Sequence, residues 1–375
     1  MRTIIIAVAV AAVLCTGAVA YIFASDGGST DGEISIIDGT GAFITLDGPL
    51  TGVVTVGTNI PEAMKVLGLT DELKGMSFSA TDDANNWNQY SPLFTDPVHM
   101  VNRASLSAED VATVSYYLIC PVSSATITTT LDTAFREIGG KVIRLNCYGE
   151  TMLDDLEKLT ALFGRTDKVM NAYNSYLNMY NGIVDTVKNK MSAAGDMSDE
   201  TFLYYMNSLN AFYNQRSDGS AMIEEIYGRN ALRNLNIPAS GVTNAAGDDG
   251  TREVITAYDH LNPVKKVFIR GSESTSTEAA ALTLWNGSVL KAKYDLDAFE
   301  NDEVYVFNTN IMSGLLSFAA YVAIAEICDV STGYSVSDLV NEYNKAYGFS
   351  KPLSGYVFQI TDGKSGTPHA ADIGI

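Results

Sequence analysis

The sequence predicts an α/β protein of two lobes, each with a mainly parallel sheet flanked by helices, joined by one long connecting helix. Three observations carry this. Short apolar or β-branched runs alternate with helical runs in both halves of the chain, which is the pattern of parallel strands covered by crossover helices. One long amphipathic segment, 165–191, separates the halves, with Val169, Tyr173, Tyr176, Tyr180, Val184, Val187 and Met191 at spacings of three and four. The chain has 375 residues, 46% hydrophobic and 18% charged, enough for a large core and for two domains, and unlike a disordered chain.

The elements follow in order. After Arg2, residues 3–25, "TIIIAVAVAAVLCTGAVAYIFAS", carry no charge and read as a secretory signal or an N-terminal membrane anchor. Ala18-Val19-Ala20 fits a cleavage site, and Cys15 raises the lipoprotein option, although Leu14 is large for it. Residues 26–48 form a tether, "DGGSTDGE", and then a hairpin around Asp38-Gly39-Thr40-Gly41. The first lobe, 49–163, has strands expected at 53–56, 75–79, 98–101, 117–120 and 142–146. Its helices are expected near 61–67, 108–114 and 128–138, the last stopped by Gly139-Gly140. Residues 164–194 form the connecting helix, about 26 helical residues spanning roughly 40 Å. The second lobe, 195–360, has strands at 201–206, 265–271 and 302–308, and helices near 220–227, 314–327 and 337–347. Residues 361–375 read as a tail.

Composition excludes several functions. Net charge is −20, from 44 acidic and 24 basic residues, and no Lys/Arg cluster offers a basic face for nucleic acid. His99, His260 and His369 are scattered, and there is no CxxC or zinc spacing. Cys120 and Cys147 each end a strand; they read as small buried residues, with a disulfide open if the strands are neighbours in an exported protein. No GxSxG, HExxH or Walker loop is present, so no enzyme reading is supported.

Ordered pieces of the chain resemble one family. The hairpin "IIDGTGAFITLDGPLTGVVTVG" is similar to that family's opening, and "NIPEAMKVLGLTDELKGMS" to its first helix and second strand. "SLSAEDVATVSYYLICP" resembles its next helix–strand unit, with Tyr116-Tyr117 in place of the usual Pro-Asp. "LEKLTALFGRTDKVMNAYNSYLNMY" resembles the start of its connecting helix. "MIEEIYGRNAL", "TREVITAYDHLNPVKKVFIRG" and "LKAKYDLDAFENDEVYVFNTNIMSG" resemble pieces of its second lobe. The family is the solute-binding proteins of ABC importers that handle iron-siderophores, haem and cobalamin, and the resemblance runs from about Glu33 to Tyr347. It implies a ligand cleft between the lobes, small closure because a helix joins them, no chemistry and no intrinsic cofactor. The ligand it implies is a metal chelate, an iron-siderophore or a corrinoid. The implied partners are an ABC permease with its ATPase, and the membrane through the N-terminal segment, with the protein itself a monomer outside the cytoplasm. A haem or metal-ion binder of the same fold is the alternative, disfavoured by the few histidines. A surface receptor without a transporter and a chelatase-like enzyme are the readings from other classes.

The resemblance also implies that one glutamate on each lobe docks on the permease, and the matching positions are Glu109 and Glu253. Both stand near predicted helix starts, where a carboxylate also suits the helix dipole. Ligand contacts are expected on loops at the carboxyl ends of strands. In the first lobe these are Thr58, Asn59, Trp87, Tyr90, Asn102, Arg103, Ser123, Ser124 and Tyr148. In the second they are Asn207, Asn210, Phe212, Tyr213, Arg216, Trp285 and Asn308 to Asn310. Exposed Trp and Tyr suit flat ligands, and Arg103 and Arg216 suit anionic ones.

Overall fold

A computed structural model describes residues 32–123, 127–214, 217–235, 243–247, 249–362 and 367–374. The apolar segment expected as signal or anchor lies outside them. Among the described residues no helix is long and apolar enough to cross a membrane.

The expected hairpin pairs β1 (Ile34–Ile37) with β2 (Phe43–Leu46). Asp38 builds its turn: one carboxylate oxygen accepts from the Thr40 N–H at 2.9 Å and the Ala42 N–H at 3.1 Å. The other accepts from the Arg144 N–H at 3.2 Å. A short acidic side chain thus closes the turn and pins the hairpin to the first lobe.

The first lobe holds five parallel strands: β3 (Val53–Val56), β4 (Leu73–Ser77), β5 (Val98–His99), β6 (Tyr117–Cys120) and β7 (Lys141–Arg144), in the order β5-β4-β3-β6-β7. The central strand β3 is buried along its whole length, which is why Val53 to Val56 shows no polar alternation. Cys120 and Cys147 are buried free thiols, and burial drives both pKa values up.

The connecting helix, Asp167–Ala194, has 28 residues. Thr166 caps it by accepting from the Val169 N–H, and Gly195 ends it. Val169, Tyr176, Val184, Val187 and Met191 are buried on the face read from the sequence. The helix Met152–Leu162 precedes it as a separate element, broken from it by Gly164 and by Arg165 at φ 48°.

The second lobe is built on β8 (Thr201–Met206), β9 (Ala211–Tyr213), β10 (Arg229–Asn230), β11 (Thr243–Ala245), β12 (Lys266–Arg270), β13 (Val304–Phe307), β14 (Val357–Thr361) and β15 (His369–Asp372). The order is β11-β9-β8-β12-β13-β14-β15, with β10 also paired to β8. Strands β8, β12 and β13 are parallel, and antiparallel strands extend both sides. Two expectations are corrected here. The stretch after β8 is not a loop but strand β9, because Ala211-Phe212-Tyr213 folds back on β8 through Asn210 in the left-handed conformation, φ 47°. The C-terminal tail contributes β15, whose sequence His-Ala-Ala-Asp lacks the β-branched residues that would have announced a strand.

One apolar cluster runs through both lobes and the connecting helix, including Ile60 and Met64, Tyr176 and Val184, and Phe318, Val322 and Tyr343. Two further clusters lie under the outer helices of the second and first lobes. The first cluster therefore packs the two lobes and the connecting helix together.

Candidate functional site

At the carboxyl ends of β3, β12 and β13 the lobes face each other across a pocket of about 150 Å³. Larger hollows of about 490, 530 and 620 Å³ lie at the opposite, amino-terminal ends of the strands. The inter-lobe pocket is the candidate site because open α/β sheets bind ligands outside the carboxyl ends of their strands.

Its floor is Glu62, on the first-lobe helix Asn59–Val66. One carboxylate oxygen accepts from the Tyr343 hydroxyl at 2.8 Å. The other accepts from Lys351 Nζ at 3.0 Å and from the Tyr90 hydroxyl at 3.2 Å. The ion-paired side chains are only 8% and 4% exposed, so each charge depends on the other. Phe349 stacks on Tyr343 at 5.3 Å and lies 5.5 Å from the Lys351 ammonium, so aromatic rings wall the pair. Burial raises the Tyr90 and Tyr343 pKa values well above their ordinary range, and the Glu62 charge adds to it, so both phenols stay protonated donors. Glu62 and Lys351 stand 289 residues apart in sequence and tie the first lobe to the C-terminal part of the chain.

The second-lobe wall carries Arg270, at the carboxyl end of β12. It donates to Thr309 Oγ1 at 3.0 Å and to the Tyr213 hydroxyl at 3.5 Å. No carboxylate lies within 4 Å of it among the described residues. Burial works against its charge, but the phenols of Tyr204, Tyr213 and Tyr148 outweigh that and raise its pKa. Glu273 follows on the next loop, exposed at the mouth of the pocket. Desolvation between the lobes raises its carboxyl; Lys351 pulls it down, while Asp82 and Glu62 push it up.

The lobes also approach at Gly149, at φ 67°, where an added Cβ would lie 2.0 Å from the Asp218 carboxylate. This brings the loop that carries Tyr148 against the second-lobe helix Asp218–Glu224. Tyr148 is half-buried there, and burial first and the Asp218 charge next raise its pKa.

The residues expected from sequence divide as follows. Thr58, Asn59, Tyr90 and Asn310 line the pocket, together with Thr309 and Ser313. Tyr148 and Tyr213 stand around Arg270 without lining it. Trp87 is half-buried on the helix Asp83–Tyr90, which reads as a loop in sequence, and stacks on His99 at 4.3 Å; His99 in turn meets Asp83 at 3.0 Å. Asn102, Arg103, Ser123, Asn207 and Asn210 lie outside the pocket, the first two beyond edge strand β5. Ser124 and Arg216 lie outside the described residues.

Three expectations are corrected. Trp285 is fully buried, packed edge-on against Phe299 at 5.2 Å, because the helix Glu278–Gly287 turns it into the second-lobe core. Phe212 is fully buried in the same core, since alternation along β9 points it away from Tyr213. Asn308 is 2% exposed and its amide is committed: it donates to Glu273 O at 3.1 Å and Thr275 O at 3.0 Å and accepts from the Asn310 N–H at 2.9 Å. It shapes the loop that carries Glu273 rather than facing a ligand.

Arg270, Glu273 and Glu62 escaped the sequence reading as site residues. Arg270 ends "KKVFIR", so the carboxyl-end rule could have found it. Glu62 looks like an ordinary first-turn helix acid, and nothing local announces Lys351 as its partner.

Two α/β lobes on one long connecting helix, with a cleft at the strand ends, make the fold of the TroA-like periplasmic binding proteins. Comparison with solved structures bears this out. A TroA-like periplasmic binding protein, FepB from Veillonella parvula, superposes with a TM-score of 0.62 at 15% identity, covering 87% of this chain and 99% of that one. CeuE from Helicobacter pylori, solved with Ni(II) bound, gives 0.55 at 15% identity, covering 86% and 98%. A periplasmic heme binding protein from Pseudomonas aeruginosa gives 0.53 at 15% identity, covering 75% and 94%. No protein-family model matches the sequence, and no curated protein matches it.

Proposed function

We propose that this chain is an extracytoplasmic substrate-binding protein that captures a metal chelate, an iron-siderophore or a corrinoid, and delivers it to an ABC permease. The observation that carries this reading is the inter-lobe pocket with Arg270 on its wall, a guanidinium that has neutral partners only among the described residues. A half-buried cation so placed recruits an anionic group such as a catecholate, hydroxamate or carboxylate. The likeness to binding proteins described for Fe3+-hydroxamate transport and for heme supports the same class.

Glu109 and Glu253 are the proposed permease contacts. Both are exposed and make no ion pair among the described residues. Each sits in the first half of a helix, Ala108–Ala112 and Asp249–Leu261, one on each lobe. Rim carboxylates of this kind set orientation and on-rate against arginines on a partner, and their effect fades with salt. The N-terminal apolar segment is proposed as the export signal or anchor.

Calorimetric and fluorescence titration of the purified chain with ferric siderophores, haem and cobalamin tests the reading. Saturable one-to-one binding of at least one of them is expected. No saturable response to any would refute the metal-chelate reading.

A further inference from the structure

The pocket is small and carries both signs of charge. Its volume, about 150 Å³, is well below the ~300–1,000 Å³ of pockets for drug-sized ligands. On the positive side, Arg270 has no carboxylate within 4 Å among the described residues. The N-terminus of helix Asn59–Val66 opens on the same pocket, and the Thr58 side chain makes no capping bond there. Pro61 has no N–H and the Glu62 N–H bonds Thr58 O, so the orphan donors that add positive potential there are the Asn59 and Ile60 N–H groups. On the negative side, Glu273 makes no ion pair and no side-chain hydrogen bond among the described residues. The Glu62 charge is already matched by Lys351. What remains for a ligand to satisfy is one cation and one anion. A purely anionic ligand leaves Glu273 facing a like charge, and a purely cationic one does the same to Arg270.

We propose that the chemical group recognised in this pocket is a small amino-carboxylate. Its carboxylate lies between Arg270 and the Thr58–Asn59 helix start, and its ammonium faces Glu273, with Asn310 and Ser313 offering neutral hydrogen bonds. The inference rests on the proposed function in taking the cleft as the solute site, and it narrows the ligand. The group has two sources, a free amino acid or an amino-carboxylate arm on a larger ferric chelate.

The test is calorimetric titration of the full-length chain. One set of probes is L-serine, L-glutamate and L-histidine, each also as its methyl ester and its N-acetyl derivative. A second set is ferrioxamine B with and without L-glutamate coupled through its side-chain carboxyl to the terminal amine, which leaves a free amino-carboxylate. At least one amino acid, or the coupled ferrioxamine, is expected to saturate a single site. Esterification or acetylation of that group should weaken binding at least about thirtyfold. Arg270→Gln should remove the penalty for the ester, and Glu273→Gln the penalty for the acetyl group, so each charge is assigned without relying on loss of binding alone. Binding of free amino acids points to the first source, and binding of the coupled chelate alone to the second. If neither binds, or if the blocked derivatives bind as well as their parents, the inference is overturned. Plain ferrioxamine B binding as tightly as the coupled form would overturn it while leaving the proposed function standing. Amino acids binding while no chelate does would sustain it and remove the metal-chelate reading.

Discussion

Replacing Glu62 by Gln removes one charge from a site where the ion-paired side chains are 8% and 4% exposed. The substitution keeps shape and leaves a carbonyl for one hydroxyl, so packing against Phe349 and Tyr343 is preserved. Lys351 is left as an uncompensated buried ammonium, and breaking a buried pair this way costs about 3–5 kcal/mol. Because one glutamine oxygen can still accept from Lys351 Nζ, we expect the lower end, about 3 kcal/mol. Lys351→Met alone strands the carboxylate and should cost a similar amount. The double variant removes both charges and should lose less than the sum, giving a coupling energy of about 2–4 kcal/mol. Urea unfolding of the four proteins at neutral pH measures this. One cooperative transition is expected, since a single apolar cluster passes through both lobes. A loss under about 1 kcal/mol in both single variants, or a coupling near zero, would mean that Glu62 does not tie the first lobe to the C-terminal part of the chain.

Further outcomes follow from the same geometry. Gly149→Ala places a methyl group against the Asp218 carboxylate at a positive φ and should cost about 2 kcal/mol, with weaker ligand binding as the lobes part; unchanged affinity and stability would contradict it. Burial pushes the Asp132 carboxyl up, but hydrogen bonds from Arg144 and Arg136 outweigh it and hold the pKa below 3.8. A depressed pKa means that stability is present above the unfolded value of about 3.9 and is lost as pH falls through the folded one. Asp132→Asn should therefore cost about 2 kcal/mol at neutral pH, with the gap to the parent closing below about pH 4 in urea titrations. Glu273 has a raised pKa, so its charge, and with it affinity for an amino-carboxylate, should fall as pH drops through a window above 4.5; a Glu273→Gln chain should show a flat profile there. Reversing both Glu109 and Glu253 to Lys should leave ligand affinity unchanged and abolish uptake in cells, and retained uptake would remove their docking role.

Much of the architecture was legible because it rests on local rules. The Val53–Val56 strand, the Asp38 turn and the face of the connecting helix follow from burial, turn chemistry and helical spacing. Elements without such signals were missed. Asp83–Tyr90 is rich in Asn and weakly apolar, and β9 and β15 take their strand form from pairing to β8 and β14. The site was legible only on its first-lobe rim, where Thr58 and Asn59 follow a clear strand. Trp285 misled because polar neighbours in sequence say little about which helix face is buried. Arg270, Glu273 and the Glu62–Lys351 pair become a site only when two distant segments meet, and no local pattern encodes that meeting.

Solute is proposed to bind between the lobes on Arg270. Isothermal titration of the parent chain and of Arg270→Gln, with the same ferric-chelate and amino-acid probes, tests it most directly. One site per chain is expected in the parent and at least about thirtyfold weaker binding in the variant, with urea stability little changed. Equal affinity in both proteins would contradict it.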